Sequence, residues 1–374
     1  MHQTEEMKKV HAEDDALREA AHSPNRRKTT YYILIAIIIG LVTNVFMGLL
    51  MDGSKIWKTV SSVSIWVIIL PFCAYISVSL VDSLRLWLVS RACGHPIGLK
   101  DSILNSMVGS FFAHVTPLAM GGQPFQIYHL HRHGMSVRIA TNIIFSRFVV
   151  NAMLLVLIML LGIPVIISIS HGIAGIAIVF YLGLSVTVLF ALFFLLVLVQ
   201  PRIISKISSL LAHTWFGRLI GRISKNPNWQ ADFTTYTREL AQEIRFLWSK
   251  GLLVMFVDIL LNIIGIGLVG FAFWYPLHVL VSADLGYVGV VVAYIAVWQV
   301  VFYIPSPGAS GGLEGMFTLI FSTMTGHAEM TLVAVILWRF STYYLSLIPG
   351  MILSGMAFRI KAKPTPVLPA TDKA

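Results

Sequence analysis

The chain has 374 residues, of which 57% are hydrophobic and 12% are charged, and its mean hydropathy is +0.80. Soluble domains carry about 25% charged residues, so this composition excludes a soluble enzyme, a secreted disulfide scaffold and a disordered chain. It predicts an all-α polytopic membrane protein. The formal net charge of +10 comes from basic residues beside apolar segments. Anionic lipid headgroups therefore fit this charge better than nucleic acid does.

Six apolar segments are long enough to cross the membrane as helices, which takes about 20 residues for a hydrocarbon core of ~30 Å. These full transmembrane helices are predicted at 30–51, 62–90, 138–168, 172–199, 248–275 and 328–358. The region 200–250 is rich in Lys and Arg, which places it on the cytoplasmic side. Counting crossings from there puts both termini in the cytoplasm.

Two further apolar stretches, 101–133 and 286–325, are interrupted by Pro and Gly, which is typical of re-entrant half-helices. Each half of the chain then has three spans and one hairpin, and an odd number of spans inverts the second half. The predicted parts are a cytoplasmic tail 1–29, a membrane repeat 30–168, an inverted repeat 169–360 with a cytoplasmic insertion 200–247, and a tail 361–374. In secondary transporters of this plan the site lies between the halves.

Both hairpins carry the pattern hydroxyl-Pro-x-x-x-Gly-Gly, and we expect each Gly-Gly pair to permit a tight turn and a close approach of the backbone. The residues concerned are Thr116, Pro117, Gly121 and Gly122 in the first, and Ser306, Pro307, Gly308, Gly311 and Gly312 in the second. An arginine follows each motif inside an apolar span, Arg147 in the first half and Arg339 in the second. The alternative is that Pro and Gly only kink ordinary helices, but this does not explain two matching copies.

A charge near the bilayer centre costs roughly 2.5–3.5 kcal/mol on insertion scales, so two intramembrane arginines indicate a function. Guanidinium groups suit phosphate oxygens, and the helix N-termini at Gln123 and Leu313 favour an anion. We therefore predict that a phosphate binds between Arg147 and Arg339. The alternative is that each arginine only binds the carbonyl groups of its own hairpin.

Other polar residues in the apolar segments are candidates for the same site. Asn151 and Tyr343 lie near the arginines along their helices, although core packing is the alternative for Tyr343. Glu314 is a candidate to pair with an arginine, carry a proton, bind an amine or compensate a helix dipole. Asp82 and Asp258 are candidates for ion coupling or for ion pairs, Asp82 with its neighbour Arg85.

Signatures of catalysis, nucleotide binding and cofactors do not occur in the sequence, so we predict no catalytic residue and no cofactor. His129 and His133 have an i,i+4 spacing that zinc can use, but no Glu lies between them and no Cys is near. We therefore predict no metal site. Without a nucleotide site, active transport would have to use an ion gradient.

The two motifs carry a resemblance to a known family. The quoted residues are Thr116, Pro117, Gly121, Gly122, Gln123, Pro124 and Tyr128 in the first, and Pro305, Ser306, Pro307, Gly308, Gly311, Gly312 and Glu314 in the second. They resemble the signatures of the lysylphosphatidylglycerol synthetase transmembrane-region family, over about 30–360. The region is similar to the flippase half of the multiple peptide resistance factor.

The resemblance implies a flippase of the bacterial cytoplasmic membrane that moves lysyl-phosphatidylglycerol or another anionic or aminoacylated phospholipid. Such lipid transport would contribute to antimicrobial peptide resistance. Family members often have Glu and Arg where this chain has Gln123 and Gln126, so a headgroup contact there is not carried over. The stretch after the last span is too short for the soluble synthase domain of that relative. We therefore expect that the chain does not aminoacylate lipid itself.

Several alternatives stay open at this point. One is a lipid-modifying membrane protein of the phosphatidylglycerol lysyltransferase type, and another is a subunit that anchors a separate synthase through 200–247. A third is a transporter of a polyprenyl-phosphate carrier. The formation of a homo-oligomer is compatible with each of these alternatives.

Overall fold

The computed structural model describes residues 61–170, 174–199, 251–281, 285–302, 304 and 306–358. Within these ranges the secondary structure is helical, apart from turns and one isolated bridge, so the all-α class is confirmed there. The predicted span 30–51, the tails 1–29 and 361–374 and the insertion 200–247 lie outside the described residues.

Where the described chain is continuous, short connections join consecutive helices. In chain order they are α1 Trp66–Ala92, α2 Leu99–Val115, α3 Gly122–Arg132, α4 Val137–Leu161, α5 Ile163–Ser170, α6 Ala174–Val199, α7 Leu252–Val281, α8 Tyr287–Val301, α9 Gly312–Thr325, α10 Ala328–Arg339 and α11 Leu345–Ala357. A π-helical turn, Phe340–Tyr344, joins α10 to α11. Four helical stretches of the described chain are long and apolar enough to cross a membrane, namely α1, α4, α7 and the continuous α10–α11.

The predicted span 138–168 is wrong at its C-terminal end. Helix α4 ends at Leu161, and Gly162 caps it before α5 begins. A side chain at Gly162 would place Cβ 2.4 Å from Val292 Cγ1, so the chain turns where α4 meets α8. Pro164 lies in the first turn of α5, where its missing N–H costs no helical hydrogen bond.

The predicted span 248–275 is also too short at its C-terminal end. Helix α7 continues through Pro276 to Val281 because Leu277 and Val281 are buried in the main apolar core. Around Phe273 this core is aromatic, and its rings include Phe317, Phe321 and Trp338 from α9 and α10. Helices α1 and α7 pack along each other.

The two Pro-Gly motifs interrupt the helices as predicted. In the first broken segment, 99–132, the loop 116–121 joins α2 to α3, and in the second, 287–325, the loop 302–311 joins α8 to α9. The backbone is left-handed at the two residues after each proline. The φ angles are 55° at Leu118, 54° at Ala119, 60° at Gly308 and 53° at Ala309. The tips meet in an antiparallel bridge between Pro117 and Pro307.

The expected tight turn is present at the first Gly-Gly pair, but its left-handed residues are Leu118 and Ala119, since Gly121 has φ −82°. The expected close backbone approach is present, because a Cβ at Gly122 would lie 2.9 Å from the carbonyl oxygen of Gly109 on α2. In the second loop, Gly311 does adopt a positive φ of 89°. Helices α3 and α9 begin at Gly122 and Gly312, one residue before the predicted positions.

Candidate functional site

A cavity of about 450 Å³ lies between α1, α2, α3, α4, α7, α8 and the end of α10. This volume is within the range of small-molecule sites in proteins. Its charged lining residues are Asp82, Arg85, Arg147 and Arg339. Apolar side chains, including Leu155, Ile266, Val269 and Trp298, also line the cavity. The cavity therefore combines guanidinium groups with apolar side chains.

Arg147 lies on α4, with a side chain that is 6% exposed. Its Nη2 donates to the carboxylate of Asp82 on α1, and also to the Asp82 carbonyl at 2.8 Å. The Asp82 side chain is 33% exposed, which makes it the most accessible charged group among the ion pairs around the cavity. Arg147 Nε has no hydrogen-bond partner within the described chain, although it is buried.

Arg85 connects α1 to α7. Its Nε and Nη2 donate to the two carboxylate oxygens of Asp258 at 2.8 and 3.1 Å, and its Nη1 donates to Asn262 Oδ1 at 2.9 Å. The predicted Asp82–Arg85 pair exists only as a longer contact of 3.7 Å. The prediction chose the neighbour along the helix, but both groups find closer partners across helix interfaces. Asp258 is fully buried beneath this arginine.

Arg339 is held by the second loop. Its Nε donates to Glu314 at 3.0 Å, and its Nη2 donates to the Gly308 carbonyl at 3.0 Å and to Ser310 Oγ at 3.2 Å. The guanidinium also lies 4.0 Å from the centre of the Tyr343 ring. Glu314 accepts a further bond from the Gly311 N–H at 2.7 Å, so it caps α9 as well. The alternative prediction, that an arginine only binds groups of its own hairpin, therefore describes Arg339 closely.

Two nitrogen donors of residues that line the cavity lack hydrogen-bond partners within the described chain. They are Arg147 Nε and Asn262 Nδ2, and both residues are at least nine-tenths buried. The orientation of the Asn262 amide follows from its Oδ1, which accepts from Arg85. A buried donor without an acceptor costs free energy, about 1–3 kcal/mol, so such donors favour a ligand that supplies acceptor oxygens.

Six of the predicted site residues line this one cavity. They are Asp82, Gln123, Arg147, Asn151, Arg339 and Tyr343. The other predicted residues lie behind its wall or in the loops. They are Thr116, Pro117, Gly121, Gly122, Ser306, Pro307, Gly308, Gly311, Gly312, Asp258 and Glu314. The binding of a substrate by any of these residues stays a prediction.

Sequence analysis missed several polar lining residues. Tyr75 and Ser79 precede Asp82 at helical spacing, so a polar stripe on an otherwise apolar α1 could have revealed them. Asn262 follows Asp258 by one helical turn on α7, which is the same kind of signal. His114 lies just before the first motif and also lines the cavity. No comparable sequence signal marked this histidine.

Comparison with known proteins agrees with the sequence motifs. The family model described as "Lysylphosphatidylglycerol synthase TM region" matches residues 33–350. A similar curated protein is a UPF0104 membrane protein of Archaeoglobus fulgidus, 24% identical over 328 residues, which cover 85% of this chain and 95% of the relative. No solved structure matches the chain.

Proposed function

Because the chain belongs to the lysylphosphatidylglycerol synthase transmembrane-region family, we propose that it is a translocator that moves a phosphate-headgroup lipid across the membrane. Candidate substrates are lysyl-phosphatidylglycerol, other phospholipids and polyprenyl phosphates. The observation that carries the proposal is the pair of unpartnered buried donors, Arg147 Nε and Asn262 Nδ2, on two residues that line a cavity with three guanidinium groups in its wall.

A phosphate diester matches this lining chemically. Its unesterified oxygens only accept hydrogen bonds, and the cavity offers buried donors without acceptors. Arg147 and Asn262 are the direct ligands in this proposal. Arg339 also lines the cavity and contributes positive charge, since its own donors already bind the second loop. Asp82 offers a carboxylate to any amine on the headgroup, as in an aminoacylated lipid.

The proposed transport path follows from an inverted repeat. Matching left-handed backbone after Pro117 and Pro307 supports two equivalent loops, which we assign to re-entrant hairpins that enter the bilayer from opposite sides. The headgroup would occupy the cavity between the halves while the acyl chains stay in the lipid. Rocking of one half against the other would then open the cavity to each side in turn. In this arrangement six helices span a bacterial cytoplasmic membrane with both termini inside.

The test uses purified protein in phosphatidylcholine vesicles that contain a trace of acyl-labelled fluorescent phosphatidylglycerol. Dithionite bleaching reports how fast the label crosses the bilayer. We expect faster crossing than in empty vesicles, and we expect the substitution Arg147→Gln to abolish the gain. Arg91→Gln is the matched control, because Arg91 lies at the exposed end of α1 against Trp87.

Equal crossing rates for the native protein and empty vesicles, with phosphatidylglycerol, its lysyl derivative and a polyprenyl phosphate, would contradict the proposal. The same preparation, incubated with radiolabelled lysyl-tRNA and phosphatidylglycerol, tests the enzyme alternative. A labelled lipid product would favour a lysyltransferase over a translocator.

A further inference from the structure

The three carboxylates that sequence analysis offered for ion coupling all face guanidinium groups. Asp82 binds Arg147, while Asp258 and Glu314 bind Arg85 and Arg339 at 2.8 and 3.0 Å. Their negative charges are therefore already balanced inside the protein. A group that takes up and releases a proton during transport needs access to the cavity and no carboxylate partner that fixes its charge, and a histidine that lines the cavity can meet both requirements.

His114 is the histidine in the cavity lining, and it lies in the last turn of α2. Its Nε2 is 2.9 Å from the hydroxyl of Tyr75 on α1. Its ring stands edge-on to Tyr343, with centroids 5.3 Å apart, and the Tyr343 hydroxyl donates to the His114 carbonyl at 3.3 Å. The imidazole is thus fixed between the first half of the chain and the turn that follows Arg339.

We propose that His114 is the proton-coupling site of this translocator, so that lipid movement and proton movement are linked through its imidazole. This inference rests on the proposed function and adds a driving ion to it. The ligand of this site is the proton, and the Tyr75 hydroxyl is the hydrogen-bond partner of the ring.

Protonation changes the contacts that His114 can make. The neutral ring has one donor and one acceptor nitrogen, whereas both nitrogens of the cation donate. The Tyr75 hydroxyl must then accept from Nε2, and its own proton turns to another acceptor. The added charge also lies on one side of the Tyr343 ring while Arg339 lies 4.0 Å from the centre of the same ring. Repulsion between the two cations weakens the contact between α2 and the turn after α10.

The titratable and charged side chains near His114 come from several helices. Tyr75 comes from α1, Tyr343 from the π-helical turn and Arg339 from α10, and Tyr294 of α8 lines the same cavity. Asp82 lies on α1 seven residues beyond Tyr75, about 10 Å along the helix. No carboxylate contacts the ring among these described groups, so its charge depends on proton uptake.

A second, small cavity of about 10 Å³ adjoins the imidazole. This is close to the smallest volume that holds one water molecule. Tyr75 and His114 line both cavities, and Ser79, Ser110 and Ser346 also line the small one. In this proposal their hydroxyl groups relay a proton to the ring.

The experiment follows labelled phosphatidylglycerol and protons in the same vesicles, with the pH-sensitive dye pyranine in the lumen. For the native protein we expect a pH gradient of about two units to change the lipid crossing rate about tenfold relative to no gradient. Addition of the lipid to one leaflet should also change the luminal pH. For His114→Gln, which keeps an amide to bond with Tyr75, the ratio of rates with and without the gradient should fall to about one.

Tyr75→Phe is the second variant, because it keeps the titratable ring and removes its partner. It should shift the pH midpoint of gradient-free transport by at least about half a unit. A native rate that ignores the gradient, or a His114→Gln ratio equal to the native ratio, would overturn the inference and leave translocation intact. If His114→Gln is inactive, an unchanged pH midpoint of gradient-free transport in Tyr75→Phe overturns the inference. Absence of native lipid crossing would instead contradict the proposed function.

Discussion

Arg147 and Arg339 follow the same motif, but different parts of the molecule hold them. Arg339 binds Gly308, Ser310 and Glu314, all within the second broken segment. Arg147 has no contact of this kind with the first loop and instead binds Asp82 on α1. One arginine therefore fixes its own hairpin, whereas the other joins two helices beside the cavity.

The difference begins with how each Gly-Gly turn is capped. In the first loop, the Gly121 N–H donates to the hydroxyl of Thr116 at 2.9 Å. In the second, the Gly311 N–H donates to the carboxylate of Glu314 at 2.7 Å. A buried carboxylate requires a counter-charge, and Arg339 supplies it, whereas a hydroxyl requires none. The neutral cap of the first loop thus leaves Arg147 available for the cavity.

The largest expected effect is the loss of Arg339, because it would leave the fully buried Glu314 carboxylate unpaired. Breaking a buried pair in this way typically costs about 3–5 kcal/mol. Thermal unfolding of Arg339→Met in detergent micelles should show this loss. The double variant with Glu314→Gln should recover more than half of it, since no buried charge remains. A single variant as stable as the native protein would contradict the structural role of Arg339.

Substitution of Arg147 should affect transport more than stability. Its partner Asp82 is one-third exposed, so the carboxylate can be hydrated when the arginine is lost, and we expect a stability loss of only about 1–2 kcal/mol. Arg147→Gln should lower lipid crossing in vesicles about 100-fold, which equals about 2.7 kcal/mol. Arg147→Lys keeps the charge but lacks the planar guanidinium group. Its lipid crossing rate should lie between those of the native protein and Arg147→Gln. Equal stability losses in Arg147→Gln and Arg339→Met would remove the distinction between the two arginines.

The glycines at the starts of α3 and α9 provide a third comparison. A Cβ at Gly122 would meet a rigid backbone oxygen, that of Gly109, at 2.9 Å, whereas a Cβ at Gly312 would meet the flexible end of the Ile304 side chain. We expect Gly122→Ala to cost about 1–3 kcal/mol and Gly312→Ala less than about 1 kcal/mol. Unfolding midpoints of the two variants measure the difference. The reverse order would show that α2 and α3 are not packed as described.

The sequence predicted the helices and their interruptions because these depend on local composition. Apolar length located α1, α4, α7 and α10–α11, and the Pro-Gly motifs located both breaks. The partners of the charged groups depend on tertiary packing. Asp258 and Arg85 are 173 residues apart, so spacing along one helix suggested Asp82 as the partner of Arg85 instead.

Local sequence rules also did not identify the residues that make the turn in the first loop. Positive φ is usual for glycine, so the motif favours Gly121 as the left-handed residue, whereas Leu118 and Ala119 adopt this conformation. The bridge between Pro117 and Pro307 explains how such a conformation persists, because the opposing loop restrains it. That contact joins two distant parts of the chain and has no signature in either part alone.

A further, small effect tests the neutral cap of the first loop. Thr116→Val keeps the side-chain shape but removes the acceptor of the Gly121 N–H, and the expected cost is about 1 kcal/mol. Thr116→Ser keeps the hydroxyl, so its stability should be close to that of the native protein. In the second loop Ser306 does not cap Gly311 but donates to the Ser310 carbonyl at 3.0 Å, so Ser306→Ala should cost less than Thr116→Val. Unfolding midpoints that rank Ser306→Ala as the more damaging change would mean that the two hydroxyls act alike. The contrast between a neutral and a charged cap would then no longer explain why only Arg339 is bound to its own loop.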